Sequence, residues 1–113
     1  MRKAILNIGL DNNTLTPEQI IKKVRKNFGI ESGRYIYIDI KTGIYNDQKE
    51  ETLILSFESP YKLSTIVDKV ERAAAVMDQE CIAAKIDGNG LLIYRVNYNG
   101  QRYTFDNNLF LYL

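Results

Sequence analysis

The sequence contains no histidine and no tryptophan, one cysteine (Cys81) and only two prolines. Each shortage excludes something. Without an imidazole to move protons, Ser-His-Asp and Cys-His catalysis are ruled out. A structural zinc site draws on several Cys and His ligands, which one cysteine does not supply. One cysteine also forms no disulfide within the chain, which suits a reducing compartment. Charge of one sign is not in excess: fifteen Lys and Arg face fourteen Asp and Glu, a net +1 at pH 7. No strong overall field therefore steers the chain to nucleic acid. No apolar run approaches the length that spans a bilayer. The opening, residues 1–13, has too short an apolar stretch for a secretory signal. The expected location is the cytoplasm.

What is present suits one folded unit. The 113 residues are 45% hydrophobic and 26% charged, ordinary values for a chain that buries its own core. No repeat, linker or low-complexity stretch divides it, so residues 1–113 read as a single domain.

The apolar residues fall into two periods. Ala4, Leu6, Ile8 and Leu10 alternate with Lys3, Ile5, Asn7 and Gly9, the period of a half-buried strand. Thr16, Pro17 and Gln19 form a helix start: a capping residue, a proline at the first helical position and the partner of a capping box. Ile20, Ile21, Val24 and Phe28 then share one helical face, and Gly29 stops the helix. Residues 34–45 read as a second strand, with Ile36, Ile38 and Ile40 toward the core and Tyr35, Tyr37, Asp39 and Lys41 on the other side. Residues 46–51 read as a polar turn, and residues 52–57 as a third strand with Leu53, Leu55 and Phe57 inward. Ser59-Pro60 opens a second helix with the stripe Leu63, Ile66, Val67, Val70, Ala74 and Met77, and with Asp68 and Arg72 spaced to pair on its solvent side. Residues 81–86 and 91–98 are strands joined by the turn at residues 87–90. Asn99-Gly100 leads to a short strand at 101–105, and the apolar tail 109–113 is expected to pack.

The order β-α-β-β-α-β, with a C-terminal hairpin or tail added, predicts an α+β fold of the ferredoxin-like type: a sandwich of two helices on one face of an antiparallel sheet. That fold hosts many functions and selects none.

The sheet face away from the helices is the most suggestive surface. It is expected to present Ile5, Asn7, Tyr35, Tyr37, Asp39, Ile54, Ser56, Cys81, Ala83 and Lys85, an apolar mixture that calls for cover or a partner. The C-terminal tail, a second copy in a homodimer, or a bound partner can each supply it. Base stacking is a weaker reading. Tyr35 and Tyr37 resemble the stacking aromatics of RNA-recognition modules in kind, but residues 52–57 lack the basic and aromatic signature of such a module's third strand. Lys22, Lys23, Arg25 and Lys26 are the only local charge excess; they offer an anion contact, set against the plainer reading of a solvated helix face. Eight tyrosines, Tyr98 among them, mildly favour an interface. Asp39, Glu50 and Glu51 lie on or near adjacent strands, but the glutamates fall where a hairpin connection carries charge anyway and count as no site. No cofactor motif is present.

Leu6-Asn7-Ile8-Gly9-Leu10, Leu15-Thr16-Pro17-Glu18, Glu51-Thr52-Leu53, and Cys81-Ile82-Ala83-Ala84 running into Asp87-Gly88 resemble small accessory proteins carried by phages and mobile elements. The resemblance implies an uncharacterised protein that engages host machinery in the host-cell cytoplasm, and it transfers no catalytic or binding residue.

The expected function is therefore non-enzymatic: a protein that acts by contact, with Tyr35, Tyr37, Asp39, Ile54 and Tyr98 as the partner-binding surface. The alternatives are a binder of a small nucleotide or metabolite, and a binder of single-stranded nucleic acid through the sheet face.

Overall fold

The computed structural model describes residues 1–31, 33–45 and 47–106; the apolar tail at 109–113 lies outside the described residues. The elements, in chain order, are β1 (Arg2–Gly9), α1 (Pro17–Asn27), β2 (Tyr37–Tyr45), β3 (Gln48–Ser59), α2 (Leu63–Val76), β4 (Cys81–Ile86), β5 (Asn89–Tyr98) and β6 (Gln101–Phe105). All six strands form one sheet in the order β2-β3-β1-β4-β5-β6, and every neighbouring pair is antiparallel. The fold is α+β, with two helices and a six-stranded sheet.

Local chemistry explains most boundaries. The Thr16 hydroxyl accepts the Gln19 N–H at 3.3 Å, and the Gln19 side chain accepts the Thr16 N–H at 2.9 Å. This reciprocal box satisfies two donors that the first turn of α1 leaves unpaired. Gly29 at φ +64° turns the chain out of the helix, a conformation that costs glycine little. The β4–β5 turn has Asp87 at φ +50° and Gly88 at +86°, and the β5–β6 turn has Asn99 at +48° and Gly100 at +72°. Positive φ at both central residues matches the twist of the flanking strands.

Alternation then sorts the core. Ala4, Leu6, Ile8, Leu53, Leu55, Phe57, Ile82, Ala84, Ile86, Leu91 and Ile93 are buried on the helix side of the sheet, against Ile20, Val24 and Phe28 of α1 and its cap and Ile66, Val67, Val70, Ala74 and Met77 of α2 and its cap.

Five expectations change. The second strand starts at Tyr37 rather than at residue 34, so Tyr35 precedes it. Ile36 is buried, but Ile38 and Ile40 are 45% and 49% exposed, because β2 is the sheet edge while α2 packs over β4 and β5. The connection expected at residues 46–51 is mostly strand: Tyr45 pairs with Gln48, and pairing continues through Ile44–Lys49 and Gly43–Glu50. Lys49 and Glu51 stay exposed there, while Glu50 is half-buried. The second helix begins at Leu63 with no side-chain cap; Ser59 belongs to β3, and its hydroxyl accepts the Tyr61 N–H. Asp68 pairs not with Arg72 but with Arg102 of β6, which also binds the buried Glu71. These contacts tie the last hairpin to α2. Among the described residues, no helix is long and apolar enough to cross a membrane.

Candidate functional site

The strand register places side chains of the open face in rows. Tyr37, Ser56, Ile5 and Lys85 stand opposite one another across β2, β3, β1 and β4, and Asp39, Ile54, Asn7 and Ala83 form the next row. Ile54 and Asn7, which alternate with the core residues beneath the helices, are only 7% and 9% exposed. The Asn7 side-chain amide donates to the Ala83 carbonyl at 3.3 Å, which satisfies a polar group on this enclosed strip.

At the β2–β3–β1 end the face deepens into a groove of about 760 Å³. Its floor and walls come from Ile5, Ile54, Ser56 and Phe57, with Tyr37 and Tyr35 beside them and Lys3, Arg34 and Glu58 at charged positions. The groove thus combines apolar surface, two aromatic rings and charges of both signs, the make-up of a small-molecule site. The Tyr37 hydroxyl donates to Asp39 at 3.2 Å. The Asp39 carboxylate, through its charge and then through this bond, raises the Tyr37 phenol above its ordinary range; the phenol stays a neutral donor at physiological pH.

A second feature lies on the same face. A Cβ built on Gly9 falls 1.6 Å from Glu50 Oε1, so the carboxylate lies over the bare backbone that glycine leaves. Burial, and then the neighbouring Asp11 charge, raise the Glu50 carboxyl above the usual carboxylate range.

Of the residues singled out by sequence, Tyr35, Tyr37 and Ile54 line the groove, and Asp39 joins it through Tyr37. Tyr98 does not. It stacks on Tyr94 with ring centroids 5.4 Å apart, bonds to Glu80 and has Arg95 5.6 Å from its ring centroid. Lys22, Lys23 and Lys26 lie on α1, outside the groove lining. Arg25 is engaged elsewhere: its guanidinium donates to the carbonyls of Glu31 and Arg34, each at 3.0 Å. Sequence reasoning missed Lys3, Ile30, Arg34, Phe57 and Glu58 as lining residues. Their signal was tertiary, since the loop after α1 and the ends of β1 and β3 meet only in the folded chain.

A solved structure is similar to this fold. It is a phage SAM lyase in complex with S-methyl-5'-thioadenosine, similar over 86% of this chain and 92% of that chain, with 20% sequence identity and a TM-score of 0.61. No protein-family model matches the sequence, and no curated protein matches it. The structural likeness overturns the expectation of a non-enzymatic protein that acts only by contact with a host partner. An enzyme is built on the same frame, so the lack of a familiar catalytic constellation is no argument against catalysis. Histidine matters to reactions that shuttle protons; a bond cleavage governed by orientation and desolvation does not require it. Of the readings drawn from the sequence, a small-ligand site agrees better with the neighbour than a protein-docking face.

Proposed function

We propose that this chain is a small phage-type enzyme that cleaves S-adenosylmethionine, with its site in the groove beside Tyr35 and Tyr37. The observation that carries the reading is the shared fold with a SAM lyase holding S-methyl-5'-thioadenosine. That compound retains the adenosine, the sulfur and the methyl group of S-adenosylmethionine. Forming it therefore means breaking the bond from sulfur to Cγ of the amino-acid side chain, with the electron pair going to sulfur. The substrate's own carboxylate can form the new C–O bond at Cγ as the C–S bond breaks, closing a five-membered ring. No residue of the protein then has to supply a nucleophile or accept a proton.

This chemistry suits what the groove contains. The step consumes a sulfonium cation and a carboxylate and yields a neutral thioether and a neutral ester within the fragment that leaves. Removing such a pair from water favours charge loss, and Ile5, Ile30 and Ile54 supply apolar wall. Holding the reacting atoms together contributes further. Tyr35 and Tyr37 offer faces for the adenine ring, with Asp39 fixing the Tyr37 hydroxyl. Lys3, Arg34 and Glu58 provide the opposite charges that attract an amino-acid zwitterion. Within the same reading, the first four strands and two helices form a ferredoxin-like unit. The order β2-β3-β1-β4 and the two helix crossovers support this, with β5 and β6 as additions. Incubating the chain with S-adenosylmethionine and following S-methyl-5'-thioadenosine tests the proposal.

A further inference from the structure

The loop that follows α1 brings Ile30, Arg34 and Tyr35 to the groove, yet it belongs to neither helix nor strand. Its start is defined by α1. The Phe28 N–H bonds to the Val24 carbonyl at 3.0 Å, and the Ile30 N–H bonds to the Arg25 carbonyl at 2.8 Å. The helix end is pinned as well: Lys69 Nζ donates to the Asn27 carbonyl at 2.6 Å, and Phe28 is buried. The Arg34 N–H bonds to the Glu31 carbonyl at 2.9 Å, and Tyr35 is 80% exposed.

This stretch is also tied from the helix. Arg25 Nη1 donates to both the Glu31 and the Arg34 carbonyls at 3.0 Å, one nitrogen joining the two ends of the same turn. A planar guanidinium holds such a geometry with little freedom. Because Arg25 stands on a capped helix, it ties this turn to a fixed reference.

We propose that Arg25 is a positioning residue: its guanidinium sets the loop that presents Arg34 and Tyr35 to the ligand. This rests on the proposed function above and goes further, moving Arg25 from a charged patch to the support of the site. Its contribution is conformational. If only one-tenth of the molecules hold the loop correctly without it, the apparent Kd rises about tenfold.

The test uses the full chain and S-methyl-5'-thioadenosine as the probe, with Kd from calorimetry and exchange of the Arg34 amide by NMR. Arg25→Ala is expected to raise Kd about tenfold and to speed exchange of that amide. A double variant, Lys22→Ala with Lys26→Ala, removes charge from the same helix and is expected to change neither. If Arg25→Ala leaves Kd and Arg34 exchange unchanged, the role is overturned. It is also overturned if the lysine variant weakens binding equally, since the effect is then that of charge. If the unaltered chain fails to bind, the functional reading falls and this role falls with it. Binding by the unaltered chain that Arg25→Ala does not alter overturns the role alone.

Discussion

Phe28 and Phe57 pack together between α1 and the sheet, and their coupling can be measured. Phe28 closes α1 and Phe57 lies on β3; they are 3% and 4% exposed, with ring centroids 5.0 Å apart and planes at 62°. That edge-to-face geometry sets the positive rim of one ring against the negative face of the other, which contributes about 0.5–1.5 kcal/mol beyond the area buried. Tyr61 extends the cluster, its ring centroid 6.5 Å from that of Phe28. Truncating either Phe to alanine costs about 3–5 kcal/mol, a large share of the roughly 5–15 kcal/mol that holds a domain of this kind together. Leucine is the better probe because it keeps most of the volume. Urea unfolding of the unaltered chain, Phe28→Leu, Phe57→Leu and the double variant closes a thermodynamic cycle. The expected coupling is about 0.5–1.5 kcal/mol, with unchanged m values. Losses that add to within about 0.3 kcal/mol would refute the reasoning and reduce both rings to plain hydrophobic filling.

The remaining expectations concern charge and the groove. The Glu50 carboxyl is raised by burial first and by Asp11 second, so the folded chain holds this proton more tightly than the unfolded chain. That contribution to stability is present in full below the unfolded pKa of about 4.3 and is lost as pH rises through the folded pKa. Glu50→Gln should therefore raise Tm at pH 7 and lose this advantage at acid pH; a Tm difference independent of pH would show that the carboxylate is not desolvated. Tyr35→Ala and Tyr37→Ala should each weaken binding of S-methyl-5'-thioadenosine about tenfold to a hundredfold, the range of a base–aromatic stack. Tyr98→Ala, outside the groove, should leave that affinity unchanged. Equal losses at all three positions would sink the placement of the site.

Much of the fold was legible because local rules and the global fold agree. The alternation in Ala4, Leu6 and Ile8, the box of Thr16 and Gln19, and the turn at Asp87-Gly88 each act over a few residues, and each appears where its chemistry predicts. Misreadings arose where tertiary context decides. Ile38 and Ile40 look like core residues until β2 proves to be an edge without helix cover. Lys49 and Glu50 look like loop residues until they pair as strand. In the groove, Tyr37 and Ile54 follow from period-two alternation and Asp39 bonds to Tyr37, whereas Tyr35 lies ahead of the strand. Arg34, Lys3 and Glu58 were not visible, because a groove that gathers charges from a loop and two strand ends leaves no spacing in the sequence. Arg25 was visible as a cation but not as a clamp, since its partners are backbone carbonyls that carry no residue identity. The functional error had a different root. The absence of histidine excludes catalysis that depends on an imidazole and does not exclude an enzyme.

The central claim is that the groove cleaves S-adenosylmethionine between sulfur and Cγ. The most direct measurement is a time course of the purified full chain with S-adenosylmethionine carrying an isotopic label in the S-methyl group, read by mass spectrometry, with Tyr37→Ala run beside it. The account predicts labelled S-methyl-5'-thioadenosine accumulating in proportion to enzyme and time, over many turnovers, with a much slower rate in the variant. Tight binding of intact substrate without release of the labelled product, or the same rate from Tyr37→Ala, would contradict it.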